Sequence, residues 1–230
     1  MSKKNSLAWL LLLCCLASSI EAGEKQALFN GKDLTGWKGD DKVWSVRDEQ
    51  IVGTSVDHKL KANTFLVWQG GDVADFRLTL KARLEGDNNS GVQYRSQLKD
   101  PKAWRVAGYQ MDIHPKAEYI AMLYGEGTGR GIIAQRGQKA TLETDPKASQ
   151  IDTKAFPVDT VDVSKWHEYS ITARGNHLLH QLDGKTTVEL IDNHQHRGER
   201  GIVALQVHAG APMTVYFKDI QLETLSPETR

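Results

Sequence analysis

Three short stretches of the sequence alternate apolar residues with side chains that donate, accept or transfer protons. Over 108–114, Tyr109, Met111 and Ile113 share one parity and Gln110, Asp112 and His114 the other. An extended strand therefore sets an amide, a carboxyl and an imidazole in one row. Residues 91–95 place Gln93 and Arg95 opposite Val92 and Tyr94, and 201–208 place Gln206 and His208 opposite Val203, Leu205 and Val207. The glycine-dense run Tyr124-Gly125-Glu126-Gly127-Thr128-Gly129-Arg130-Gly131 is pliant enough to bring Glu126 and Arg130 together over a ligand. Exposed strands usually carry Thr, Lys and Glu, as 185–189 does. Amides, Arg, His and Asp instead suit the fixing of hydroxyls in defined orientations, and adjacent strands of this kind would make a polar concave sheet.

Other motifs carry less. His194 and His196 flank Gln195 in a polar loop with only Asp192 near, short of the three or four ligands that zinc needs. The glycines at 125, 127, 129 and 131 fit neither the dinucleotide nor the P-loop spacing. Asn88-Asn89-Ser90 is a glycosylation sequon, relevant only in a eukaryotic secretory host. Trp37, Trp44, Trp104 and Trp166 read as core or rim packing.

Helical periodicity is nearly absent, and short alternating runs separated by turn residues predict strands instead. These are 43–46, 50–52, 76–84, 91–95, 108–113, 119–124, 167–173, 177–182, 185–190, 201–207 and 214–222. Asp183-Gly184 between two of them predicts a type I′ hairpin. Val215 and Phe217 fall on one parity and Ile220 and Leu222 on the other, which predicts a bulge near 218–219. The aperiodic, polar stretch 137–162 is expected to be a long loop over one sheet. The expected fold is all-β, a two-sheet antiparallel β-sandwich of jelly-roll type.

Of 230 residues, 40% are hydrophobic and 25% charged, with 29 basic against 29 acidic side chains. That balance gives no field to hold a nucleic acid or an acidic membrane surface. Lys3 and Lys4, an apolar run over 7–16 and small residues up to Ala22 read as a secretory signal peptide. Residues 23–230 are then a single exported domain, periplasmic or extracellular. The run is shorter than the roughly 20 residues of a spanning helix, so no membrane span is expected in the mature chain. Both cysteines, Cys14 and Cys15, lie in the leader, so neither a disulfide nor a Cys nucleophile is expected afterwards.

The motifs taken in order resemble a known family. The opening Leu28-Phe29-Asn30-Gly31-Lys32-Asp33-Leu34-Thr35-Gly36-Trp37 is followed by Asn89-Ser90-Gly91-Val92-Gln93-Tyr94-Arg95 and Gly108-Tyr109-Gln110-Met111-Asp112-Ile113. Gly129-Arg130-Gly131, Trp166-His167-Glu168-Tyr169 and Leu205-Gln206-Val207-His208-Ala209-Gly210 complete the series. Together they are similar to the 3-keto-disaccharide hydrolase family (3-keto-glucoside 1,2-lyase/hydratase). The resemblance implies a concanavalin A-like fold and action on glycosides already oxidised at C3.

A 3-keto sugar has an acidified C2 proton. Its cleavage calls for a base near C2, a donor or cation at the C3 oxygen and an acid for the leaving oxygen. On that expectation His208 or Glu126 is the base, Arg95 or Arg130 stabilises the enolate, and Asp112 orients or supplies the acid. Gln93, Gln110, Gln206, Asn89 and Tyr124 bind substrate. No cofactor is required, and a divalent ion on Asp112, Glu126 or the histidines is the alternative to an arginine. The partner is a small carbohydrate. A two-carboxylate glycosidase using Asp112 and Glu126 and a non-catalytic sugar-binding module are the competing readings.

Overall fold

The structure, a computed structural model, describes residues 23–226. The predicted signal peptide lies outside the described residues. The strands run β1 (Lys25–Ala27), β2 (Trp37–Lys38), β3 (Trp44–Arg47), β4 (Gln50–Thr54), β5 (Thr64–Trp68), β6 (Phe76–Gly86), β7 (Ser90–Asp100), β8 (Arg105–Ile113) and β9 (Leu123–Glu126). They continue as β10 (Gly131–Ala134), β11 (Gln138–Leu142), β12 (Gln150–Asp152), β13 (His167–Arg174), β14 (His177–Leu182), β15 (Lys185–Asp192), β16 (Ile202–Val207) and β17 (Met213–Thr224). One sheet is ordered β12-β11-β15-β14-β13-β6-β17-β4-β3, with β1 added alongside β17. The other is ordered β10-β9-β8-β7-β16-β5-β2.

The sheets face each other across one apolar layer, as the alternation demands. Phe76, Leu78, Leu80, Ala82 and Leu84 of β6 point into it from the larger sheet. Val92, Met111, Ile113, Val203 and Leu205 meet them from the smaller. The expected two-sheet sandwich is therefore present, with one departure: β11 and β15 pair in parallel while their neighbours are antiparallel. Among the described residues no helix is long and apolar enough to cross a membrane.

Local signals that depend on backbone geometry are found where the sequence puts them. Asp183 and Gly184 both adopt positive φ, 49° and 76°, between β14 and β15, as a type I′ turn requires. The pairing of β17 with β6 shifts register between Lys218 and Gln221, with Asp219 at φ 53°. That bulge carries the apolar face from Val215 and Phe217 to Ile220 and Leu222.

Two expectations need correction, and one strand has no local signal. Residues 137–162 are not one loop, since they contain β11 and β12. β12 is a three-residue edge strand paired only with β11, and β11 takes its place in the sheet by parallel pairing with the distant β15, so no local pattern marks them. The run 119–124 is a turn until Leu123, with Ala121 at φ 58°. Its apolar residues are buried by packing, and the Ala121 carbonyl is held from the opposite sheet by Thr187 Oγ1 at 3.0 Å and His180 Nδ1 at 3.3 Å. Finally β5, Thr-Phe-Leu-Val-Trp, carries no period because both of its faces are buried.

Candidate functional site

The outer face of the smaller sheet is where the polar rows meet. Pairing sets Val67, Ala204, Gln93, Gln110 and Tyr124 in one row across β5, β16, β7, β8 and β9. Gly91 lies beside Asp112 in the next register position. At the β5 end this face is apolar, with Phe65, Val67, Val106 and Ala204 packed under Trp104. Toward β9 it opens into a cleft of about 400 Å³, lined by Asn63, Asn89, Asp112, His114, Tyr119, Tyr124, Glu126 and His208 among others.

Beneath the cleft floor the three glutamines form a continuous chain of amides. Ser96 Oγ donates to Gln93 Oε1 at 2.7 Å, Gln93 Nε2 to Gln110 Oε1 at 2.6 Å, and Gln110 Nε2 to Asp112 Oδ1 at 2.7 Å. Gln110 Nε2 also reaches Gln206 Oε1 at 3.2 Å. A carboxylate only accepts, so Asp112 dictates which way each amide faces. All three glutamines are at least 98% buried. Gln93 and Gln206 therefore brace Gln110, and Gln110, which lines the cleft, holds Asp112.

Gly91 makes this chain possible by leaving room for Gln110 to lie across β7. A Cβ there would stand 2.5 Å from Gln110 Cδ. Gly91→Ala is accordingly expected to destabilise the protein by about 1–3 kcal/mol, the cost of overpacking a buried site. Urea unfolding checks this, and an unchanged midpoint would contradict the packing described.

Burial is what sets the chemistry of Asp112. Desolvation pushes its pKa up to about 7, against a lowering by the Gln110 hydrogen bond and with a further rise from the Glu126 charge. One carboxyl oxygen is taken by Gln110, leaving the other to carry the proton. Glu126 is held differently, accepting from Asn63 Nδ2 at 3.1 Å. The same Asn63 accepts the Ala209 N–H through Oδ1 at 3.0 Å, tying Glu126 to the segment after His208. Asn88 Nδ2 braces that segment further, donating to the carbonyls of His208, Ala209 and Ala211.

The cleft holds two imidazoles in opposite tautomers. His208 turns Nδ1 to the Ala209 carbonyl. A carbonyl accepts, so Nδ1 bears the proton and neutral His208 has a free lone pair on Nε2. His114 Nδ1 instead accepts the Lys116 N–H at 3.0 Å, so its proton is on Nε2. Burial, and then the Lys116 charge, push the His114 pKa down, which keeps it a neutral donor.

Of the residues singled out in the sequence, Asp112, Glu126, His208, Gln110, Asn89 and Tyr124 line this cleft. Arg95 and Arg130 do not. A bulge between Tyr94 and Gln97, with Arg95 at φ 46°, turns Arg95 off the expected face. Its guanidinium is buried against the Ala74, Gly175 and Gly198 carbonyls and Asp75 Oδ1. Arg130 pairs with both oxygens of Asp192, at 2.6 and 3.1 Å, so it is not over Glu126. Neither is placed to act as the enolate stabiliser expected of it. The row placed His114 on the polar face without a role, and Asn63 and Tyr119 had no local signal. No group of three or more His, Asp or Glu side chains among the described residues is arranged to hold a metal ion.

Residues 24–223 match the family model described as the 3-keto-alpha-glucoside-1,2-lyase-like domain. The chain belongs to this carbohydrate-active family. No curated protein matches it. Among solved structures, the family fold recurs in a Parabacteroides distasonis protein provisionally named a glycosyl hydrolase. That protein is 22% identical with a TM-score of 0.58, over 88% of this chain and 94% of the other. It recurs also in carbohydrate-binding module CBM66 from Bacillus subtilis, at 18% identity and TM-score 0.55, over 82% and 96% of the two chains. The laminarinase catalytic domain of Thermotoga maritima is similar at 11% identity and TM-score 0.51, over 91% and 99%. At these identities the chain shares their fold, and function has to be argued from its own cleft.

Proposed function

We propose that the protein is an exported enzyme that cleaves 3-keto-glucosides by elimination across C1–C2 followed by hydration. The observation that carries this reading is Asp112, a buried carboxyl with a pKa of about 7, in one cleft with the open Nε2 of His208. His208 Nε2 takes the C2 proton, and the electron pair moves onto the C3 oxygen as an enolate. When the ketone re-forms, the pair becomes the C1=C2 double bond and the C1–O bond breaks. Protonated Asp112 gives its proton to the departing oxygen. Water then adds its hydroxyl to C1 and a proton to C2, for a net hydrolysis.

The enolate oxygen needs donors, and the cleft wall has no Lys or Arg to supply a cation. His114 Nε2–H is a neutral donor, with the Tyr119 and Tyr124 hydroxyls on the same wall. Neutral donors aimed at a developing oxyanion stabilise it without first stabilising a resident charge.

Purified protein incubated with 3-keto-trehalose and with trehalose is expected to release glucose only from the former. Cleavage of both would favour a two-carboxylate glycosidase. Sugar binding with cleavage of neither would leave a binding module and end the lyase reading. His208→Gln keeps the shape but cannot take the C2 proton. Deuterium exchange at C2 of the 3-keto sugar is expected to fall by about 10²-fold or more in this variant.

A further inference from the structure

Across the turn between β9 and β10 lies a second cavity of about 580 Å³, which shares Gly127 with the cleft. The two cavities are opposite in charge. The cleft wall carries Asp112 and Glu126 and no Lys or Arg. The second wall carries Lys99, Arg130, Arg197, Arg200 and the buried Arg95 against a single acid, Glu199.

Several of these cations are already matched. Arg130 is paired with Asp192, Arg95 with Asp75, and Arg197 with Glu199 at 2.6 Å. Lys99 and Arg200 are not matched to the same degree. The Lys99 ammonium meets only the neutral Gln97 Oε1, at 2.7 Å. Arg200 has Asp72 at 3.7 Å, with both side chains open to water. Lys99 and Arg200 thus line one cavity with no close acidic partner, and a guanidinium and an ammonium together suit an oxyanion.

Resting on the lyase reading, we propose that the second cavity takes the leaving group, and that the preferred substrates are 3-keto-glucosides whose aglycone carries an oxyanion. The neutral keto sugar occupies the cleft, whose wall carries the Glu126 carboxyl and no cation to hold an anionic one. The aglycone passes the Gly127 turn and sets its anionic group between Lys99 and Arg200. The chemistry recognised is a tetrahedral or planar oxyanion, whether carboxylate, sulfate or phosphate.

Two aryl 3-keto-glucosides that differ only in a para carboxylate or a para carboxamide separate the possibilities. At low ionic strength kcat/KM for the carboxylate is expected to exceed that for the carboxamide by about fivefold, the worth of one or two partly screened ion pairs. The ratio should shrink toward one in high salt, and in the double variant Lys99→Gln/Arg200→Gln. Equal kcat/KM for the two, or a ratio that survives the double variant, overturns the inference and leaves the lyase reading standing. If neither is cleaved, the lyase reading fails instead. Calorimetric titration of the unoxidised aryl glucosides then decides: tighter carboxylate binding lost in the double variant supports the anion site, and equal or absent binding overturns it.

Discussion

Asp112→Asn is expected to lower kcat on a 3-keto-glucoside by about 10²–10⁴-fold, the contribution of a positioned general acid. The same change is expected to make the protein more stable at pH 8. Both follow from burial. In the folded protein burial pushes the pKa of the Asp112 carboxyl up to about 7, against 3.8 for a free aspartate. Between those values the folded state holds a proton that the unfolded state has lost. Stability contributed at this position therefore declines as pH rises from about 4 to about 7, and the deficit is constant above. Asparagine keeps the oxygen that accepts from Gln110 and never carries the charge. Its advantage should amount to a few kcal/mol at pH 8 and vanish near pH 4. Urea unfolding at both values measures it, and a gain that does not depend on pH would contradict a buried ionising carboxyl. In the wild-type protein the same titration predicts that kcat falls as pH rises through about 7, a limb that Asp112→Asn should lack.

Asp192→Ala is expected to cost about 3–5 kcal/mol, the usual result of removing one partner from a buried ion pair. For a protein of this size that is a fall in Tm of about 10 °C. Asp192 is fully buried at the end of β15. It accepts from Arg130 twice, from the Tyr109 hydroxyl at 2.5 Å and from the His194 N–H at 3.1 Å. Removing it leaves the Arg130 charge beside an apolar gap and frees the Tyr109 hydroxyl from its carboxylate. Asp192→Asn should cost less, because the shape and one acceptor remain. Thermal unfolding gives the comparison. A change in activity with no change in Tm would instead put Arg130 in catalysis, as its place in the glycine-rich run first suggested.

What could be read locally was read through alternation and turn chemistry. The row Gln110-Asp112-His114 follows from parity along one strand, because β8 is regular there. Arg95 failed because one bulge changes parity, and nothing in Gly91–Arg95 marks it. The same limit applies to Asn63, whose partners Glu126 and Ala209 are 63 and 146 residues away in sequence. His114 was visible as a position, but its tautomer depends on the Lys116 N–H, which only the turn after β8 supplies.

The sequence by itself determined the sandwich, the type I′ turn, the bulge in β17 and the family. Each of these is written in short-range periodicity or in motifs that need no partner. Tertiary structure alone decided that Asp112, Glu126, His114 and His208 share one cleft, while Arg95 is a buried strut and Arg130 is tied to Asp192. It also decided that Asp112 titrates near neutrality. The reason is physical: a carboxyl's pKa and an arginine's role depend on what removes water from them. Here that is done by strands from distant parts of the chain, laid side by side only once the sheet has closed.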